Sequence, residues 1–599
     1  MATEEAVTPP SGAATSGQAT GHPIGFWFFF WGEFAERCSY YGMRAILALY
    51  MTERLGVNEG NAGTFMALFI AACYFFPLVG GWLADNYFGK YWTIVGFSIP
   101  YVVAQFLVGI ENPYVVAGAL VLLAMGSGVI KPNISTLMGL TYDQQRPGQE
   151  QLRTSAFSWF YMAINIGAAL SQFSMPYLRT TYGYQTAFLF PAGLMALALV
   201  IFALGKRFYA SETIVRKVEG NPADGGIPDS RTITWLPLKY EVLTPEQKAA
   251  DRALRWKTLG RIGSVFLMVM FFWAIFDQAA STWIFFANTY MDTTLFGRPT
   301  PADAIQAFNP VFIVALVPLS VALFKAFPLR ATTKMMIGFA LTGLSMVIMS
   351  LSGFMAGEAQ KAVKVTFPEG AVVVPAFDTP LDQVKPAAGG QPTAVGNGVK
   401  LSATDWEYDQ GKKKLTFATG KLILANGQEV PVAAGHLSAA APDAAALSAG
   451  GVLEPLLKAG DDLAGVKPEA TRVTVETIDW VKPAERVTVW WQVLAYLIIT
   501  VAEILISVTG LELAFVAAPP SMKSFVTACW LAVVFLANLL INAPITQLYP
   551  LMEPGIYFAM LAGAMGVVTL VFVPIAARFN RGMAETQAAA TGEVLSEER

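Results

Sequence analysis

Twelve stretches of roughly 20 apolar residues, each long enough to cross the hydrocarbon core of a bilayer as a helix, dominate this chain. They lie at about 24–51, 62–84, 91–110, 115–140, 153–175, 184–204, 261–290, 308–328, 333–355, 488–518, 523–545 and 555–578. Lipid offers no hydrogen-bond partners, so a segment of this length satisfies its backbone internally, as helix. Of 599 residues, 54% are hydrophobic and 14% charged, against roughly 45–50% and 25% in soluble domains. The expectation is an all-α membrane protein with twelve transmembrane helices, which excludes a simple soluble enzyme. A net charge of -3, from 40 basic and 43 acidic residues, gives no case for nucleic acid as a partner.

Lysine and arginine in the loops set the sidedness. One set of loops holds Lys90, Arg146, Arg153, eleven basic residues from Lys206 through Arg261, then Lys325, Arg330, Lys334, Lys523, Arg578 and Arg581. The alternate short loops offer Arg54, Arg179 and Arg298. Both termini are therefore expected to be cytoplasmic, in a multi-pass protein of the plasma (bacterial inner) membrane. The expected order is a disordered tail at 1–23, a six-helix bundle at 24–204, a cytoplasmic linker at 205–258, and helices seven to nine at 259–356. An extracytoplasmic insert at 357–486, helices ten to twelve at 487–580 and a tail at 581–599 follow. The insert holds 29 of the chain's 83 charged residues. Its alternating runs Lys412 to Phe417 and Thr471 to Glu476 predict a small β-rich domain, a spacer or docking module whose ligand is unknown. Cys38, Cys73 and Cys529 sit in apolar runs without metal or disulfide spacing.

Intramembrane ions are expensive and demand a partner or a wet cavity. The first span carries four. At 100° per residue, Glu33, Glu36, Arg37, Tyr40, Tyr41 and Arg44 share an arc of roughly 140°. The bland reading is a neutral ladder, since Glu33 and Arg37 are an i,i+4 pair; a polar stripe facing lipid would still be costly. Lys131, Asp277 and Glu503 are isolated ions in spans four, seven and ten. Counting residues inward places Lys131 and Glu503 at nearly one depth, one in each half, and suggests a second cross-half pair of Arg44 with Asp277. Either pair can be a static bridge, which is weak evidence for stability, or a contact that forms and breaks between moving halves. Between them, Arg37 and Lys131 suit a carboxylate, and Glu503 suits an ammonium. The two histidines, His22 and His436, lie outside the spans, so any proton coupling would run through Glu33, Glu36, Asp277 or Glu503.

Five patches resemble the proton-dependent oligopeptide transporter (POT/PTR) family of the major facilitator superfamily. Gly32 to Leu47 is similar to the E-x-x-E-R-F-x-Y-Y-G motif with Cys38 in place of Phe. Gly80 to Ile94 resembles the superfamily loop, with Asp85, Gly89 and Lys90. Gly126 to Gly139 contains the family lysine at Lys131, Phe160 to Ala168 resembles F-Y-x-x-I-N-x-G at Asn165, and Gly510 to Ser524 precedes Trp530.

The resemblance implies the major facilitator fold, two six-helix bundles rocking about a midplane site, and proton-coupled import of di- and tripeptides. It implies no cofactor beyond the proton as coupling ion. Arg37 and Lys131 would hold the peptide carboxylate; Glu503, Asn165 and Asn309 the amino end; Tyr40, Tyr41, Tyr74, Trp273 and Trp530 the side chains. Packing or interfacial anchoring is the alternative for those aromatics. Glu33 and Glu36 would couple protons, with Arg44 and Asp277 as a gate, although Asp277 stands where glutamate is usual. An external domain between helices nine and ten resembles animal members. The rivals are a same-fold symporter of nitrate or an amino acid, and a receptor working through its insert. An intramembrane enzyme has the least residue support.

Overall fold

The structure, a computed structural model, describes residues 21–211, 245–326, 329–367, 483–517 and 523–591, with shorter stretches between 370 and 481. The tail through residue 20, linker residues 212–244, residues 592–599 and part of the insert, Lys412, Lys413 and Thr471 to Val473 included, lie outside the described residues.

The N-terminal group of helices comprises α1 (Ile24–Glu53), α2 (Glu59–Leu83), α3 (Gly89–Val108), α4 (Pro113–Gln145) and α5 (Glu150–Leu204). The C-terminal group comprises α6 (Pro245–Phe276), α7 (Thr282–Tyr290), α8 (Phe308–Ala326), α9 (Ala331–Met355), α10 (Trp490–Ala517), α11 (Lys523–Ala537) and α12 (Pro554–Thr591). Local chemistry sets several starts. Asn112 caps α4 by accepting from the backbone of Tyr114 and Val115, with Pro113 in the first turn, and Asn58 caps α2 through Asn61.

Among the described residues, nine segments are long and apolar enough to cross a membrane. Two of them contain a reversal. Glu59–Val108 passes through a π-helical turn, Ala84–Phe88, and turns at Gly89 (φ 73, ψ 162); α5 turns at Gly183 (φ 82, ψ 167). Both are left-handed conformations that glycine adopts without a Cβ penalty. The charged helix α1 falls outside the nine, yet Glu33, Glu36 and Arg37 are each at most 3% exposed. Neighbouring helices cover its polar stripe, so lipid does not meet it.

The seventh apolar window is not one continuous helix. It breaks after Phe276 into a 3-10 turn, Asp277–Ala280, and Ser281 (φ -139, ψ -85) before α7. The eleventh loosens into a π-helical turn, Asn538–Asn542, before Ala543–Thr546. Such irregular turns recur at functional positions. Within the groups, α1 packs along α5, α3 along α4, and α9 between α10 and α12; across them, α2 meets α11 and α5 meets α8. Apolar side chains such as Val121, Leu170, Leu319 and Leu570 point outward from these helices, as an apolar solvent allows.

After α7 the chain makes a hairpin, Thr294–Leu295 against Arg298–Pro299. Met291–Asp292 pairs in parallel with Val487–Thr488, fastening the chain that enters α10 to this hairpin. In the insert, Gln360–Phe367 pairs antiparallel with Thr474–Trp480, and Lys414–Phe417 with Gly435–Ala439.

Candidate functional site

The stripe on α1 divides into two groups of contacts. The Nε–H of Arg37 donates to Glu33 Oε1 at 2.8 Å, and Nε also lies 2.6 Å from Glu36 Oε2. The hydrogen is directed to Glu33, and Glu36 Oε2 is left in ionic contact alone. Glu33 Oε2, Glu36 Oε2 and Arg37 Nη2 are left buried without a hydrogen-bond partner, while the hydroxyl of Tyr101 donates to Glu36 Oε1 at 3.2 Å. Arg44, the second base of the expected neutral ladder, is spent elsewhere: its Nη2 reaches Asp277 Oδ1 of the other group at 3.2 Å. Two acids therefore share one guanidinium, an arrangement with unpaired polar atoms that packing alone would not favour.

Between the groups lies a cavity of about 220 Å³. From the N-terminal side Tyr40, Tyr41, Arg44, Tyr74, Lys131 and Asn165 face it; Trp273, Asp277, Asn309 and Glu503 do so from the C-terminal side. The ammonium of Lys131 stands 4.7 Å from the centre of the Tyr40 ring and 5.4 Å from that of Tyr74. Ring quadrupoles attract it, but among the described residues no carboxylate pairs with it. Opposite, Glu503 Oε2 accepts from Asn309 Nδ2 at 2.9 Å, and the same amide donates to Thr500 Oγ1 at 3.0 Å. No cation pairs with Glu503 among the described residues. The expected Lys131–Glu503 bridge is thus not made; one cavity instead has an uncompensated cation on one wall and an uncompensated anion on the other.

The seam between the groups is closed on the face that carries the 291–300 hairpin. Within the C-terminal group a chain of amides braces Asp277, the partner of Arg44: its Oδ2 accepts from Asn538 Nδ2 at 2.7 Å. Asn538 Oδ1 accepts from Asn542 at 2.7 Å, and Asn542 Oδ1 from Gln278 at 2.7 Å. Arg179 holds Asp303 by a two-pronged contact of 2.7 and 3.0 Å, with Glu53 at 3.7 Å and the Tyr184 hydroxyl donating to Glu53 at 2.9 Å. Gln306 Nε2 donates to the carbonyl of Ala45 at 3.0 Å. Gln547 Nε2 lies within hydrogen-bonding distance of Gly60 O, Asn61 Oδ1 and Thr64 Oγ1, at 3.2, 3.1 and 2.6 Å, and shares its two hydrogens among them. Among the described residues, no ion pair joins the groups on the opposite face, where the linker attaches.

Four of the expected site residues stand apart from the cavity. Glu33, Glu36 and Arg37 form the cluster beneath Tyr40, whose ring is 5.8 Å from the Arg37 guanidinium. Trp530 packs edge-on against Phe266, ring centres 5.5 Å apart, and over Gly510, where a Cβ would come within 2.1 Å of the indole. Its place is helix packing, not the cavity wall. Sequence reasoning passed over Tyr161, Gln172 and Gln306, which face the cavity, and the Arg179–Asp303 pair. Positions 124 residues apart leave no local signal of their contact.

A shared cleft lined by ions between two groups of apolar helices defines the class: a multi-pass membrane protein whose two halves enclose a polar solute site. The profile of the POT family (PTR2) matches residues 91–222, 239–375 and 466–557, more than half of the chain, and the protein belongs to that family. It is 27% identical to "Peptide transporter family 1" of Drosophila melanogaster, over 93% of this chain and 88% of the fly protein. It is 30% identical to human "Solute carrier family 15 member 1", over 60% of this chain and 55% of that protein. The crystal structure of the POT family transporter PepTSo aligns over 94% of this chain and 99% of its own length, with a TM-score of 0.61 and 22% identity. These relatives are transporters rather than enzymes.

Proposed function

We propose that the protein is a proton-coupled symporter that imports di- and tripeptides by alternating access. The observation that carries this reading is the facing of unpaired Lys131 and unpaired Glu503 across one cavity. A short peptide bears a carboxylate for the first and an ammonium for the second, so each charge meets its complement without bulk water. Asn165 and Asn309 would fix the amino end, and Tyr40, Tyr41, Tyr74 and Trp273 supply aromatic walls that accept varied side chains. Sequence likeness to proteins named as peptide transporters supports the same reading. Twelve crossings in two six-helix bundles, with cytoplasmic termini in a plasma membrane, complete it.

In this orientation the hairpin face is external and the conformation is closed to the outside. Arg44–Asp277 and Arg179–Asp303 would part when the outer side opens. The Glu33–Glu36–Arg37 cluster is suited to couple protonation to binding: a proton on either acid removes one claim on Arg37 and frees that base for the solute carboxylate, and loss of that proton restores the claim and favours release. Nitrate, the rival solute, has no ammonium and leaves Glu503 uncompensated. The test is uptake of a labelled dipeptide into proteoliposomes with an imposed pH gradient. Accumulation that collapses with the gradient is expected; gradient-driven nitrate uptake with no peptide uptake would overturn the proposal.

A further inference from the structure

The cavity has a roof, and the roof carries a polar group that none of the contacts above uses. Gln172 lies on α5 seven residues beyond Asn165. Seven residues are close to two helical turns, so the two side chains share a face about 10.5 Å apart along the axis. Both line the cavity. Gln172 is 7% exposed, and its Oε1 is sealed from solvent with no hydrogen-bond partner. From the other group, Gln306 reaches the same roof; its Nε2 is committed to the carbonyls of Ala45 and Asp303 at 3.0 and 2.7 Å, so what it has left to offer is its Oε1 acceptor.

An unpartnered carboxamide beside a solute cavity is a group awaiting a ligand. A carboxamide matches a peptide bond in both donor and acceptor, since each has one carbonyl and at least one N–H. Charges would be read lower down, at Lys131 and Glu503. Each residue added to an extended chain adds at most about 3.3–3.6 Å, so a dipeptide whose amino end is held at Asn165 ends short of a group about 10.5 Å further along that helix. A third residue extends toward it.

Resting on the peptide reading above, we propose that Gln172 is a specificity-determining residue for substrate length, hydrogen-bonding the second peptide group of a tripeptide in the roof of the cavity. With Gln306 contributing the acceptor from the opposite half, this contact exists only while the outer seam is closed.

The experiment measures initial uptake of trialanine and dialanine in proteoliposomes for the unmodified protein, Gln172→Leu and Gln172→Asn. Leucine keeps the volume and removes hydrogen bonding; asparagine keeps the amide on a shorter arm. Expected for Gln172→Leu is a KM for trialanine raised about five- to tenfold at unchanged maximal rate, with dialanine KM within about twofold. Gln172→Asn recovers part of the tripeptide affinity. Dialanine uptake in the same vesicles reports folding. Equal effects on both peptides, or none on either, would overturn the assignment. Absence of all peptide uptake by the unmodified protein would instead overturn the functional reading on which it rests.

Discussion

Arg44 and Asp277 meet across the seam at 3.2 Å although the acid is an aspartate, whose side chain is one methylene shorter than glutamate. The acid stands at a helix break, where α6 gives way to a 3-10 turn at Asp277–Ala280. Asn538, in the π-helical turn of the eleventh window, holds the second oxygen at 2.7 Å.

If that arrangement holds the outer side shut, Asp277→Asn loosens it without changing shape. The ion pair becomes a weaker contact between the Arg44 cation and a neutral amide, and Arg44 loses its counter-charge. Electron–electron distance measurements between spin labels on the hairpin face of the two halves should show a larger outward-open fraction. An unchanged distance distribution would mean that the pair is static.

Arg179 and Asp303 make a sharper prediction. The Asp303 side chain is fully buried, so Arg179→Ala leaves a buried carboxylate uncompensated, at a cost of about 3–5 kcal/mol. Thermal unfolding in detergent should shift down by several degrees. Removing both partners, Arg179→Ala with Asp303→Ala, should cost much less than the two single changes added together; additive losses would show that the contact contributes little.

These two pairs mark the boundary of what one sequence discloses. The apolar windows were readable because lipid forces contiguous hydrophobic runs, and among the described residues nine helical segments are long and apolar enough to cross a membrane. The intramembrane ions were readable because each carries a free-energy cost that needs an explanation. Depth counting brought Arg44 to Asp277, and it brought Lys131 and Glu503 to one cavity, where no ion pair joins them. Arg179 escaped because an arginine at a span end looks like an ordinary loop charge; only the folded seam reveals its burial. The breaks at 277–281 and 538–542 depend on tertiary hydrogen bonds such as Asn538 to Asp277, which leave no periodic trace. Trp530 was ambiguous for a related reason: an indole serves packing and pocket equally well, and Gly510 decided the matter.

Outside the spans, His22 offers a pH-dependent contact. Its Nδ1 lies 2.6 Å from the Tyr142 hydroxyl, and partial burial lowers its pKa from the usual value near 6.5. The docked state therefore favours the neutral ring, while a detached segment binds more protons as pH falls. The stabilisation is complete above about pH 6.5 and is lost as pH drops through the docked value. Amide exchange at residues 24–27 should quicken on acidification, and His22→Gln should abolish that dependence; exchange insensitive to pH in the unmodified chain, beyond the intrinsic rate, would contradict it.

Lys131→Ala and Glu503→Ala test the two ends of the site separately. Each should leave an expressed, folded protein, because neither side chain is part of an ion pair among the described residues. Gradient-driven peptide uptake should fall by at least tenfold in both. Normal accumulation in both variants would remove the two-ended site.

The α1 cluster should separate coupling from binding. Glu33→Gln and Glu36→Gln keep the size of the side chains and abolish proton exchange at those positions. Counterflow, in which labelled peptide enters in exchange for unlabelled peptide without a gradient, needs only binding and rocking. It should therefore retain a larger fraction of the unmodified rate than driven uptake does in the same vesicles. Arg37 loses one of two competing acids in either variant and becomes more available to the solute carboxylate, so the counterflow KM should fall or hold steady. Equal loss of both modes would assign Glu33 and Glu36 to substrate binding or to the fold, and proton coupling would have to be sought at Glu503 or Asp277.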